Sequence, residues 1–299
     1  MNTIDHFRRR LPDYLTELRT LVAIETPTGH TAGSEEAAEW LSERLSSFGE
    51  LSHGQLTGYG PLLRLRRPGT DHRVMLLGHL DTVWAVGSWP ELWRKTDGHI
   101  FGPGIYDMKG GLLFILELLR WLESTGADHP TLDILINPDE EIGSPASAEV
   151  IREAAGKNDL ALVLEPSTPD GIIKLGRKGS GEFTLNIRGR SAHQGVEPEL
   201  GINAAVEAAH QVMRLLDLQD SEAGTTIGPN VLKAGTASNV VPDHAELRID
   251  VRAWTADEQH RIETGLRGLR PILEGSRLEL SGRWNRPPME VTPTSLAVF

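Results

Sequence analysis

Three short apolar runs, Val74 to Leu77, Leu132 to Ile136 and Leu160 to Leu164, alternate with stretches of helical spacing at Gly110 to Leu122 and Ala146 to Ala155. Runs of four or five apolar residues suit strands buried on both faces. Their alternation with helices predicts an α/β fold built on a doubly wound, mostly parallel sheet. In such a sheet the carboxyl ends of the strands form the ligand crevice. The residues that follow these runs are therefore the first candidates for chemistry, and they are ionisable.

His79 follows Val74-Met-Leu-Leu-Gly78, Glu140 and Glu141 follow the run ending near Asn137, and Glu165 follows the third run directly. Asp107 lies in Gly102-Pro-Gly-Ile-Tyr-Asp-Met-Lys-Gly-Gly111, where glycine permits tight backbone paths around a ligand. Taken singly, each has a bland reading: a packed or surface histidine, a solvated acidic turn, a turn-forming aspartate. Taken together, Asp107, Glu141 and Glu165 would repel one another and their pKa values would rise unless cations were present. Two divalent ions remove that penalty. The chain has no cysteine, so the ligands must be histidine and carboxylate, a donor set that takes Zn²⁺ and also Co²⁺ or Mn²⁺.

Two further roles follow from spacing. Residues two apart on an extended chain share a face, so Asp81 can accept a hydrogen bond from the imidazole nitrogen that His79 leaves free. Adjacent side chains diverge, so Glu141 can reach a metal while Glu140 serves as general base toward the attacking water.

At 299 residues the chain exceeds one ordinary core, and about two domains are expected. Helical periodicity at 5–24 and 34–48 opens the first. Near Leu175 the pattern changes to a strand at 182–188, a helix at 201–216, strands near 226–233 and 246–251, a helix at 256–269 and a strand near 277–281. This β-α-β-β-α-β order predicts a ferredoxin-like insert. The expected division is 1–175 catalytic, 176–284 small domain, and 285–299 returning to the catalytic domain. A formal charge of -12 disfavours nucleic acid as partner. No signal-like segment and no run near the roughly 18 apolar residues of a membrane span is present, so the default expectation is a soluble cytoplasmic protein.

Gly78-His-Leu-Asp-Thr-Val83, Gly102 to Gly111, Asp139-Glu-Glu-Ile-Gly-Ser144 and Glu165-Pro166 together resemble the co-catalytic zinc aminoacylases and carboxypeptidases. That family includes glutamate carboxypeptidase, acetylornithine deacetylase and succinyl-diaminopimelate desuccinylase. The resemblance implies two Zn²⁺ ions, with Asp107 bridging them, Glu141 on one, and His79 with Glu165 on the other. It implies that Asp81 supports His79 and that Glu140 is the base. It also implies a homodimer through the small domain, in which His193 of Ser191-Ala-His193 reaches the partner's active site to stabilise an oxyanion. Asn239 and Arg252 match positions that hold the substrate's carboxylate or carbonyl, a task suited to the guanidinium fork of arginine.

The implied activity is hydrolysis of an amide beside a free carboxylate in a small peptide or N-acyl amino acid, of glutamate-carboxypeptidase type. The alternatives are an N-acyl-amino-acid deacylase and a non-catalytic metal-binding or dimerising protein. Family members continue beyond the equivalent of Phe299 and carry a second ligand histidine there, so the resemblance further implies a chain shortened at its carboxy terminus.

Overall fold

The computed structural model describes residues 3–297 and divides into two units, Met1–Ser167 and Thr168–Phe299. The division falls a few residues before the change of pattern read near Leu175, and the segment after 284 groups with the second unit.

The first unit opens with two helices, α1 (Thr3–Ala23) and α2 (Thr31–Leu45), followed by strands β1 (Glu50–Leu56), β2 (Gly60–Arg67) and β3 (Thr70–His79). Two short strands, β4 (Arg94–Thr96) and β5 (His99–Phe101), form a separate ribbon. Then come α3 (Gly110–Thr125), β6 (Pro130–Asn137), α4 (Ala148–Ala155) and β7 (Leu160–Val163). The main sheet has the order β1-β2-β6-β3-β7. Only β6, β3 and β7 run parallel; β1–β2 and β2–β6 are antiparallel. The α/β class stands, and the expectation of a mostly parallel sheet is corrected to a mixed one. The difference lies in the β1–β2 hairpin. Glu50-Leu-Ser-His-Gly-Gln-Leu56 is largely exposed and carries almost no apolar signal.

Helices cover both faces of this sheet. On one face, Leu18, Leu21 and Val22 of α1, Leu41 and Leu45 of α2, and Leu112, Leu116 and Leu119 of α3 pack on Leu63, Leu65, Leu76 and Ile134. On the other, Ala154 of α4 meets Leu62, Met75 and Leu135 in a much smaller core. Arg64 and Asp133 tie β2 to β6 on this second face through a two-pronged ion pair at 2.8 and 2.6 Å. Adjacent residues of β2 thus feed opposite cores, as a pleated strand requires.

The second unit contains β8 (Gly179–Arg188), α5 (Ala204–Asp217), β9 (Thr226–Ala234), β10 (His244–Ala253), α6 (Ala256–Arg267), β11 (Arg277–Arg286) and a short α7 (Pro293–Ala297). Its antiparallel sheet has the order β11-β8-β10-β9, the arrangement of a ferredoxin-like β-α-β-β-α-β unit. Alternate residues Phe183, Leu185 and Ile187 of β8, with Leu247, Ile249 and Val251 of β10, meet Ala204, Ala208 and Leu215 of α5 and Ile262 and Leu266 of α6. Both helices start on capping side chains: Asn203 accepts from the N–H groups of Ala205 and Val206, and Thr255 from that of Glu258. The buried Glu207 carboxylate accepts the backbone N–H groups of Ile272 and Leu273 at 3.0 and 2.7 Å, fixing the turn that leads to β11. Among the described residues no helix is long and apolar enough to cross a membrane.

Leu116 is 1% exposed at the centre of the larger core. Leu116→Ala is expected to cost about 2–5 kcal/mol of unfolding free energy, because the sheet cannot collapse into the space left behind. Chemical denaturation of the two proteins checks this, and a loss below about 1 kcal/mol would contradict the packing described.

Candidate metal centre

Strand β3 delivers His79 to the end of the sheet with the ring buried, 1% exposed. One ring nitrogen, Nδ1, lies 3.0 Å from the carbonyl of Asp81 and 3.3 Å from its Oδ1. The other, Nε2, lies 3.1 Å from Asp107 Oδ1 and 3.4 Å from Glu165 Oε1. With the proton on Nδ1, the Nε2 lone pair faces two carboxylates, which is how a metal-ligating imidazole is oriented by its outer partner.

Asp81 is fully buried, and its carboxylate organises the neighbouring loop. Oδ1 accepts the Glu140 N–H at 3.0 Å, and Oδ2 accepts the Glu141 N–H at 3.0 Å and the Thr28 hydroxyl at 2.7 Å. Burial works against its charge, yet the donors from His79, Thr28 and the Glu141 N–H hold the carboxyl below the usual range. The turn that follows β6 (Glu140–Ile142) is therefore pinned through its backbone, leaving both glutamate side chains for other work. Asp139, just before it, is also buried and accepts the N–H groups of Ala146 and Ser147 at 2.8 and 3.1 Å, holding the start of α4.

Asp107 sits in an irregular turn (Ile105–Lys109) with non-helical dihedrals at Asp107 and Met108 and a cis peptide between them. Gly104 opens the turn at φ 68°, a conformation that suits glycine, and the Lys109 N–H closes it on the Gly104 carbonyl at 2.8 Å. Met108 is fully buried and its Sδ accepts the His79 N–H at 3.3 Å. Lys109 is also buried; burial pulls its ammonium down to about 7 against the attraction of Glu25. At the first turn of α3, a side chain on Gly111 would come within 2.1 Å of the Leu164 carbonyl. The helix can therefore lie against the end of β7, next to Glu165, only because this residue is glycine.

Two overlapping groups result: His79 with Asp107 and Glu141, and His79 with Glu140 and Glu165, each with one ligand atom per residue within 4.8 Å of the others. Glu141 is pushed up to about 7, first by burial and then by the charges of Asp107, Asp81 and Glu140, with His79 opposing. For His79, burial lowers the pKa, but hydrogen bonds to Asp107, Asp81 and Glu165 outweigh it and push the ring up to about 12. Carboxylates brought together this closely, around one imidazole, are a donor set that fits divalent cations.

The structure thus brings six of the sequence-derived site residues together: His79, Asp81, Asp107, Glu140, Glu141 and Glu165. The other three belong to the second unit. His193 pairs with Val240 through an isolated antiparallel bridge, and the Gln194 N–H donates to the Asn239 carbonyl at 3.0 Å, so His193 and Asn239 share one loop pair. Arg252, on β10, holds Asp250 with both prongs at 2.9 and 2.8 Å. A substrate carboxylate would have to displace Asp250 to use that fork. Sequence reasoning missed Thr28, Met108 and Lys109. Met108 and Lys109 directly follow Asp107 inside the glycine-rich segment and were the findable ones; nothing in Glu25-Thr-Pro-Thr28 marks Thr28.

Residues 175–269 match the family of peptidase dimerisation domains. Carboxypeptidase G2 of Pseudomonas sp. (strain RS-16) is 35% identical over 249 residues, covering 81% of this chain and 60% of that protein. Acetylornithine deacetylase of Proteus mirabilis is 28% identical over 267 residues, covering 81% of this chain and 67% of that protein. The chain therefore spans only about 60% of the length of the carboxypeptidase it matches. Among solved structures, aminopeptidase PepT of Bacillus cereus superposes with a TM-score of 0.80 at 22% identity, covering 95% of this chain and 79% of that one. The M20 family metallo-carboxypeptidase Sso-CP2 of Sulfolobus solfataricus gives 0.66 at 15% identity, covering 92% and 78%. These superpositions establish the fold.

Metal binding to this cluster must displace protons. The metal-free His79, raised to about 12, carries its proton throughout the neutral range, and Glu141, raised to about 7, carries one below neutrality. Affinity for Zn²⁺ is expected to strengthen as pH rises from about 5.5 to 7.5, by up to about tenfold per pH unit for each proton released. Competition against a chromophoric chelator measures this; an affinity independent of pH would remove His79 and Glu141 from the ligand set.

Proposed function

We infer, for a chain that its relatives support as a member of the M20 peptidase and aminoacylase family, a metal-dependent hydrolysis of an amide bond beside a free carboxylate. The observation that carries this reading is the convergence of His79, Asp107, Glu141 and Glu165 at the carboxyl ends of β3, β6 and β7 and the adjoining turn, with Glu140 beside them. Asp107 is assigned to bridge two ions, Glu141 to bind one, and His79 with Glu165 to bind the other. Two Zn²⁺ ions are the proposed occupants, with Co²⁺ or Mn²⁺ chemically acceptable. Bound there, the cations would neutralise the clustered carboxylates, polarise the scissile carbonyl and acidify the attacking water.

The protein's own groups divide the remaining work. Asp81 fixes the tautomer and angle of His79, as its position against Nδ1 supports. Because the Glu140 backbone is held by Asp81, its carboxylate has a defined starting point from which to take the proton of the attacking water and deliver it to the leaving nitrogen. His193 is assigned to the active site of a second copy, where it would hold the developing oxyanion. Asn239 and Arg252 are assigned to the substrate's carboxylate or carbonyl. The match of residues 175–269 to a peptidase dimerisation domain supports a homodimer through the small domain, proposed as residues 176–284.

The likeness to carboxypeptidase G2 favours release of a carboxy-terminal amino acid, of glutamate-carboxypeptidase type. The likeness to acetylornithine deacetylase supports the second reading, removal of an acyl group from an amino acid. Both reactions use the same cluster and differ in which side of the amide is recognised. A cytoplasmic setting accords with a small peptide or N-acyl amino acid as substrate.

Two outcomes are expected. Hydrolysis of N-acyl-glutamates should exceed that of N-acetylornithine; the reverse order would favour the deacylase. Glu140→Gln should lower turnover by about 10²- to 10⁴-fold while leaving the metal content, measured by elemental analysis, unchanged. Turnover equal to wild type would remove Glu140 as base, and an absence of turnover in the metal-loaded wild type would leave the non-catalytic alternative.

A further inference from the structure

The segment between α1 and α2, Ile24-Glu-Thr-Pro-Thr28, makes contact with two of the chain segments that carry candidate ligands, those of His79 and Asp107, and is assigned no ligand itself. Toward His79 it is stitched as a short parallel bridge between Pro27 and Thr82. The Thr82 N–H donates to the Thr26 carbonyl at 2.8 Å and the Thr28 N–H to the Thr82 carbonyl at 3.2 Å. Its side chains add to this: the Thr26 hydroxyl donates to the Leu80 carbonyl at 2.6 Å and the Thr28 hydroxyl to Asp81 Oδ2 at 2.7 Å. The backbone of residues 80–82 and the carboxylate that orients His79 are thereby held from one side.

Toward Asp107 the link is Lys109. Its side chain is 1% exposed and its Nζ donates to the carbonyls of Ile24 at 2.6 Å and Leu21 at 3.2 Å. These carbonyls lie at the carboxyl end of α1, where helical carbonyls have no partner within the helix. The Leu21 carbonyl also accepts the Ile24 N–H at 3.3 Å, and the amine supplies an N–H to each of the two carbonyls whether charged or neutral. A methionine would fill the same space, so packing alone does not explain a lysine buried at this depth. The lysine backbone meanwhile closes the turn around Asp107 by donating to Gly104.

We propose that Lys109 and Thr28 are positioning residues which, through the Ile24–Thr28 connector, set the separation of His79 and Asp107 and hence the geometry of the metal pair. The proposal rests on the metal-centre reading above. Removing either donor leaves all ligands present but frees one side of the cluster to drift. Groups of this kind typically carry about 10- to 100-fold in metal affinity.

The test is Co²⁺ titration of the metal-free wild type, Lys109→Met and Thr28→Val, read by visible absorption, with thermal unfolding of each metal-free protein in parallel. Each variant is expected to fold cooperatively, to bind Co²⁺ about 10- to 100-fold more weakly, and to give a Co²⁺ spectrum altered in position or intensity. A variant that loses thermal stability but binds Co²⁺ with wild-type affinity and spectrum would reduce these residues to ordinary structural contacts and overturn the proposal. Should Lys109→Met fail to fold, Thr28→Val decides by the same two readouts. A wild-type chain that takes up no Co²⁺ would overturn the metal-centre reading and the positioning role with it, an outcome distinct from binding that the variants leave unchanged.

Discussion

The carboxylate of Asp81 is a full charge taken out of water, and the site is arranged around keeping it solvated by protein. An ionised carboxyl buried without partners is costly enough that it would take up a proton instead. Here it is surrounded by the His79 ring, the Thr28 hydroxyl and the backbone N–H groups of Glu140 and Glu141. Those four donors come from three parts of the chain: the end of β3, the connector after α1, and the turn after β6. Meeting the demand of one anion therefore fixes three segments relative to one another. Of the residues in the cluster, His79, Glu140 and Glu141 take their positions directly from this one carboxylate.

The two cores of the first unit contribute unequally to this rigidity. The face carrying α1, α2 and α3 holds nearly all the buried apolar side chains, while α4 covers the other face with a small patch around Ala154 and Met75. Three of the ligand-bearing segments touch the large core: Leu80, next to His79, and Met108, next to Asp107, are part of it, and Leu164, next to Glu165, packs against it. Close-packed interiors transmit displacement rather than absorb it, so the position of Asp107 is inherited from helix packing and not only from its own loop.

The parts of this arrangement legible in the sequence are those in which pattern and position coincide. His79 and Glu165 directly follow apolar runs, so the strand ends that present them could be read from composition alone. The ferredoxin-like unit was legible because β8 and β10 alternate inward and outward with period two. The β1–β2 hairpin was not, since β1 is an exposed edge with no apolar stripe, and β2 alternates leucine with arginine that is paired to Asp133 across the sheet. The mixed direction of the sheet followed from that omission. Thr28 was illegible for another reason, and so were the partners of Lys109, although its place beside Asp107 was in plain view. Their partners are Asp81 and the backbone carbonyls of Leu21 and Ile24, and no spacing rule reports which distant carbonyl a hydroxyl or amine will meet.

Strand β7 has only four residues, alternates between half-buried and exposed, and pairs with β3 alone among the described residues. Short edge strands with exposed backbone belong to the low-stability end of the local opening spectrum, where amide protons exchange well before global unfolding. Glu165 stands two residues beyond this strand, whereas His79 ends the strand at its inner side and Asp107 and Glu141 come from turns anchored in the interior. Fraying of one edge would withdraw a single donor and leave the rest of the cluster standing. Among the described residues, the backbone ahead of Glu165 is thus secured by one strand pairing, and its amide exchange would report on that pairing.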